Sequence, residues 1–145
     1  MSYTLMQKSN RYEALAEMML HLNKHVATRR LQIRQTVPLL NGSINRNQYR
    51  FISNGTRIVG FGAWALASHE AAHRWAFEED GSWIGDGSSG EGAILNFLVC
   101  DTREITEFAR TQAHQVFGGL KFLCGRRSYA DGQTRAIWID LVKAS

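Results

Sequence analysis

Eight consecutive residues, AILNFLVC at 93–100, place the tightest restriction on what this 145-residue chain folds into. The run is almost unbrokenly apolar and of strand length. It lacks the polar alternation of a strand with one wet face, so it predicts a strand covered on both sides. Downstream, Ile105, Phe108, Ala109, Ala113, Val116 and Phe117 recur at helical spacing over 103–117, and Gly118-Gly119 ends the pattern. Asp101 followed three positions later by Glu104 reads as a helix start of the capping-box kind. LKFLCGRRSY and QTRAIWIDL then predict two strands around the turn pair Asp131-Gly132. A strand–helix–strand unit feeding a hairpin requires a mixed sheet.

The N-terminal half supplies the rest. Leu15, Met18, Met19, Leu22 and Val26 predict an amphipathic helix over 13–26. A second helix is expected over 27–40, carrying Arg29, Arg30 and Arg34 opposite Ile33, Val37 and Leu40. Pro38 belongs near its end, because an interior proline removes a hydrogen bond and clashes, and 41–47 reads as a turn. QYRFIS and TRIVGFGAWALA predict a hairpin about Asn54-Gly55. SHEAAHRWAF suggests a helical turn or two, and EEDGSWIGDGSSGEG a loop. The expected class is α+β, one domain over 1–145 with helices on a mixed central sheet.

Charge is segregated. Residues 1–58 hold nine Lys/Arg against two Glu, 59–107 hold two Arg against nine Asp/Glu, and 108–145 hold six basic against two acidic residues. Such asymmetry predicts an electropositive face that steers an acidic partner. No apolar run approaches the roughly 18 residues of a membrane-spanning helix, and residues 1–15 show no signal-peptide pattern. The expectation is a cytoplasmic protein without a membrane span. Cys100 and Cys124 sit inside strand-like runs and read as small buried hydrophobes.

Motifs for phosphate loops, dinucleotides, zinc proteases and paired cysteines are missing. His69 and His73 share a helical spacing but show no nearby third ligand, so they read as surface histidines, and no metal is expected. His21 and His25 share that spacing on the first helix, and His114 lies on the polar side of the later one. His25 differs because it follows the amphipathic run, where the chain leaves the helix. A histidine at an element end reaches a cleft and titrates near neutrality, as a general base requires.

Four stretches, read together, resemble the RTX toxin-activating lysine acyltransferase family. They are the apolar helix leading to His25 with Pro38 thirteen residues on, and NQYRFISNGTRIVGFGAWALAS with Tyr49, Trp64 and Ser68. DGSSGEGAILNFLV and the basic hairpin GRRSYADGQTRAIWI complete the set. The element order likewise resembles the Gcn5-related N-acetyltransferase layout, in which a splayed sheet admits the arm of an acyl donor. The resemblance implies fatty acyl transfer from acyl carrier protein to a lysine ε-amine, with His25 as the catalytic histidine. The family's catalytic aspartate falls on Asn96 here. Asparagine cannot carry the charge that stabilises an imidazolium, although its amide oxygen can orient a ring. Asp101 is a candidate substitute, although its helix-start pattern already accounts for it, and Asp86 is a remoter candidate. The family's tryptophan just after the histidine is absent.

On this reading Arg29, Arg30, Arg34, Arg126 and Arg127 face the acidic carrier protein, and Trp64 and Ser68 belong to the donor site. Phe61, Trp64, Leu95 and Phe97 are candidates for an acyl channel. A coenzyme A enzyme holds pyrophosphate on a glycine-rich turn at a helix start. The turn Cys100-Asp101-Thr102-Arg103 has no glycine and carries an acid. Carrier protein is therefore favoured over acyl-coenzyme A as donor, with no tightly bound cofactor. The acceptor is a protein or a ribosomal peptide, and exposed hairpin edges leave room for a homodimer. Two alternatives stand beside this reading: an acyltransferase-like fold without activity, and a non-catalytic basic module for RNA or an acidic protein. The basic stretch has no interleaved aromatics, which weighs against nucleic acid.

Overall fold

The computed structural model describes residues 2–78, 86–128, 131 and 133–141. The chain runs β1 (Thr4–Met6), α1 (Arg11–Lys24), α2 (Ile33–Asn45), β2 (Tyr49–Ser53), β3 (Ile58–Ala67) and α3 (His69–Phe77). It continues through β4 (Gly92–Cys100), α4 (Arg103–Val116), β5 (Phe122–Ser128) and β6 (Thr134–Asp140). The six strands form one sheet in sequence order. Every neighbouring pair is antiparallel except β4–β5, where α4 makes the crossover that a parallel pair requires. The mixed α+β architecture expected from the sequence is the observed one.

Helices cover both faces. Met18, Leu22, Leu40 and Ile44 of α1 and α2 pack on Tyr49, Phe51, Phe61, Ala63 and Val99. Ala71, Ala72 and Ala76 of α3 pack on Ile94, Phe122 and Cys124. On the opposite face, Ile105 of α4 meets Ile52 and Val59, and Phe117 meets Trp64, Ala93 and Leu123. Phe51 and Phe61 are fully buried, and each contributes about 1.5–3 kcal/mol of burial. The apolarity of 93–100 reflects a strand with α1–α3 on one side and α4 on the other at Ala93, Ile94 and Val99. Leu95, Asn96 and Phe97 are half-buried and Leu98 is exposed, so the double cover expected from the sequence holds for only part of the run.

Local chemistry sets the element ends, and several differ from expectation. Asn10 caps α1, its Oδ1 accepting from the amides of Tyr12 and Glu13 at 2.9 and 3.1 Å. Helix α1 stops at Lys24 because the Thr28 hydroxyl donates to the Leu22 carbonyl at 2.8 Å, offering the backbone a non-helical partner. The helix expected over 27–40 therefore starts at Ile33 and ends at Asn45, so that much of the expected turn over 41–47 is helical. Pro38 lies inside α2, not near its end. The carbonyl it leaves without a helical partner belongs to Arg34, and both residues are exposed, which keeps the cost of the lost bond low. Asn47, with φ 57°, turns the chain into β2. The β2–β3 connection spans four residues, with positive φ at Gly55 and Asn54 Oδ1 accepting from the amides of Thr56 and Arg57. The helical turn or two expected in SHEAAHRWAF is the helix α3. Of the expected loop over 78–92, residues 79–85 lie outside the described residues, as does Gly132 of the second hairpin turn.

Two irregularities make an opening in the sheet. β4 pairs with β5 only from Gly92–Phe122 to Leu95–Gly125, while β4 continues to Cys100 and β5 to Ser128. Beyond Leu95 the two strands separate. At the same point the β3–β4 register shifts, Ala63 pairing with Phe97 and Trp64 with Leu95. Asn96 is the extra residue of that bulge.

Candidate active site

The C-terminal end of β4 brings together side chains that are far apart in sequence. His25 is the C-cap residue of α1, with φ −99° and ψ 137°, so its side chain leaves the helix face. Its Nε2 lies 3.2 Å from Asp101 Oδ1. Lys24 Nζ donates to Asp101 Oδ2 at 2.9 Å, and His21 Nδ1 is 3.7 Å from Oδ1. Asp101 is fixed in turn by its own amide, which donates to the Val59 carbonyl at 2.9 Å and extends β4 by one residue beside β3. Asp101 does not cap α4. Thr102 does, its Oγ1 accepting from the Ile105 amide at 3.3 Å, and this leaves the Asp101 carboxylate for the histidines.

Electrostatics follow from that packing. Burial opposes the charge on Asp101, but the hydrogen bond and charge of Lys24, with the bond from His25, outweigh it and hold the carboxyl below its ordinary value. Burial lowers His21, outweighing the attraction of Asp101 and Glu17, so its ring favours the neutral form. His21 is only 5% exposed, and its Nδ1 is buried without a hydrogen bond among the described residues. A cavity of about 270 Å³ adjoins the cluster, lined by Glu17, Leu20, His21, Lys24, Arg57 and Ile58. His25 is a quarter exposed. The arrangement is that of a base oriented by a carboxylate: with Nε2 donating to Asp101, Nδ1 holds the lone pair.

The other expected residues are placed as follows. Asn96 is half-buried in the bulge, and its Nδ2 is buried with no partner among the described residues. It stands five residues before Asp101 on β4, and the carboxylate that faces His25 is Asp101. Asp86 bonds Ser88 through its carboxylate and Arg46 through its carbonyl, at a separate loop. Ser68 caps α3, its Oγ accepting from the Ala71 amide at 3.1 Å. Trp64 is core, edge-on to Phe117 with ring centroids 4.8 Å apart. The four channel candidates divide between the faces of the sheet, Phe61 and Phe97 under α1 and α2, Trp64 and Leu95 under α4.

Arg29, Arg30 and Arg34 are exposed just beyond His25. Arg126 is committed elsewhere: its guanidinium donates to the Trp75 and Glu78 carbonyls and lies over the Trp75 ring. Arg127 is exposed. His69 and His73 are exposed and stack on each other beside Trp138, and His114 is exposed on α4. Cys100 and Cys124 are free thiols. Burial raises both, Cys124 to about 12, so neither is a thiolate nucleophile near neutrality. No helix among the described residues is long and apolar enough to cross a membrane.

Sequence reasoning missed His21, Lys24 and Arg57 as neighbours of the site. Lys24 and His21 carried one usable signal, their position within four residues of His25 at a helix end; Arg57 carried none, since only the β2–β3 hairpin brings it there.

The sequence matches no protein-family model, and no curated protein matches it. Among solved structures, the chain is similar to the loading GNATL domain of CurA from Lyngbya majuscula, with a TM-score of 0.55 at 10% identity. The match covers 87% of this chain and 65% of that one, so this chain spans just under two-thirds of the structure it resembles. At that identity the likeness is one of fold. The chain has a GNAT-like fold.

Proposed function

We propose that this chain is an N-acyltransferase that moves a fatty acyl group from an acyl thioester to a lysine-type amine of a protein or peptide. The observation that carries the reading is the His25–Asp101 pair, 3.2 Å apart at the end of the strand that separates from its parallel neighbour. The GNAT-like fold and the resemblance to toxin-activating acyltransferases both support acyl transfer. That resemblance supplies the finer terms, fatty acyl and lysine.

Chemically, the amine attacks the thioester carbonyl as His25 Nδ1 takes a proton from nitrogen. The C–N bond forms, the C–S bond breaks, and the departing thiolate recovers the proton from the imidazolium. Asp101 orients the ring through Nε2 and stabilises the positive charge that develops on it. A variant in which His25 is acylated first uses the same atoms. In that variant Nδ1 bonds the acyl carbon before the amine displaces it. Asn96 marks the inner end of the opening and offers an unpaired amide donor there, which suits a carbonyl oxygen of the donor.

Carrier protein is the favoured donor. The α4 start holds Asp101 and Thr102 where a pyrophosphate would need bare amides, and Arg29, Arg30 and Arg34, which follow His25 in the chain, are exposed positive charges. The test is donor deacylation followed by intact mass, with long-chain acyl carrier protein and acyl-coenzyme A supplied in parallel with a lysine peptide. The reading expects acyl loss from the carrier protein and little from coenzyme A. Equal inertness of both donors would sink it.

A further inference from the structure

The cluster at the end of β4 holds a feature that an acid–base pair does not need. His21 is 95% buried yet leaves Nδ1 without a hydrogen bond, pointed at the carboxylate that His25 uses. A buried nitrogen without a partner is destabilising, and His25 with Asp101 already makes a complete dyad. One ligand atom each from His21, His25 and Asp101 lies within 4.8 Å of the others.

We propose that His21 Nδ1, His25 Nε2 and Asp101 Oδ1 form a site for a borderline divalent transition metal, Zn²⁺ foremost. Bonds of about 2.0–2.2 Å in a tetrahedron set neighbouring ligand atoms about 3.4 Å apart. The two separations to Asp101 Oδ1, 3.2 and 3.7 Å, bracket that spacing. The remaining one closes by rotation of His25, the ring with room to move at the helix end. Two imidazoles and one carboxylate are a donor set that suits zinc, and three protein ligands leave a fourth position open. Glu17 Oε2 lies 3.7 Å from His21 Nε2, on the far side of that ring. A carboxylate there favours the tautomer with the proton on Nε2 and the lone pair on Nδ1, as an outer partner of a metal-bound histidine does. Lys24 remains on Asp101 Oδ2 and opposes the incoming cation, which holds the affinity below that of a structural zinc site.

Metal bound there occupies His25 Nε2, and the ring can no longer donate to Asp101. Zn²⁺ is therefore a reversible inhibitor of the proposed transfer. This consequence rests on the acyltransferase reading, whereas the binding itself does not.

The test is calorimetric titration of the full chain with ZnCl₂, with the visible spectrum of the Co²⁺ form as a second readout. One equivalent of Zn²⁺ is expected to bind with micromolar affinity and to give a tetrahedral Co²⁺ spectrum, with Mg²⁺ inert. Asp101→Asn and His25→Ala should each weaken binding at least tenfold. Lys24→Gln should strengthen it several-fold, a gain that misfolding cannot produce, and the double variant His69→Ala/His73→Ala should leave it unchanged. Absence of stoichiometric binding, or binding lost only in the His69/His73 variant, overturns the site. If zinc binds as described while no thioester donor is consumed, the metal site stands and the acyltransferase reading falls.

Discussion

Replacing Gly92 by alanine tests the junction that opens the sheet. Gly92 is buried and pairs with Phe122 at the start of the one parallel ladder among the described strands. A methyl group built on Gly92 lands on the Cε and Cζ atoms of the Phe122 ring. That ring has little room to retreat, being 2% exposed, stacked on Trp138 at 4.6 Å and edge-on to His69 at 5.6 Å. Overpacking of this kind costs about 1–3 kcal/mol, and the stacked neighbours place Gly92→Ala at about 2–3 kcal/mol. For a chain of this size the melting temperature should fall by roughly 6–10 °C. Urea unfolding should show a lower midpoint with an unchanged slope. Phe122→Leu in the same background removes the obstructing ring. The double variant should therefore be more stable than the sum of the single effects by about 1–2 kcal/mol. A Gly92→Ala protein within about 0.5 kcal/mol of the parent, or strictly additive effects, would refute the packing at this junction and the position of the opening that depends on it.

Three further outcomes follow from named contacts. Cys124 holds its proton to about pH 12 when folded, against an ordinary 9.0, because burial disfavours the thiolate. The unfolded chain releases that proton first, so above pH 9 the parent should lose about 1.4 kcal/mol of stability per pH unit relative to Cys124→Ala. Paired chemical denaturation at pH 8 and pH 10 reads this, and parallel curves would contradict it. Reversing Arg29, Arg30 and Arg34 to glutamate should weaken carrier-protein binding by tenfold or more and flatten its salt dependence, as measured by surface plasmon resonance. Unchanged affinity would remove these residues from the docking surface. Gly90→Ala should destabilise by more than 2 kcal/mol, since its φ is +151° and a Cβ there meets the Ala67 backbone. A melting curve matching the parent would exclude that close approach.

Legibility in the sequence followed the range of the forces at work. The amphipathic repeat of α1, the apolar run of β4 and the glycine stop after α4 are local patterns, and they appear in the fold within a few residues of where the sequence places them. The three-residue edge strand β1 is too short to show a period, and its pairing with β2 is what defines it. The start of α2 was hidden because a threonine hydroxyl decides where α1 ends. His25 stood out by its place at a helix end. Asp101, 76 residues away, is a candidate only through the family resemblance, because its own stretch carries a helix-start pattern that Thr102 fulfils instead. Ser68 and Trp64 stand out only through the family resemblance, and the structure gives them a cap and a core position. The opening between β4 and β5 depends on where a ladder stops, which no single stretch of sequence encodes.

The central claim is that His25, oriented by Asp101, drives acyl transfer, and single-turnover intact-mass spectrometry tests it most directly. Long-chain acyl carrier protein and a lysine peptide are mixed with the parent, His25→Ala and Asp101→Asn proteins, each shown folded by circular dichroism. The account predicts acylated peptide with the parent, a rate lower by about 10²–10⁴ with Asp101→Asn, and none above background with His25→Ala. Transfer by His25→Ala at the parent rate would contradict it.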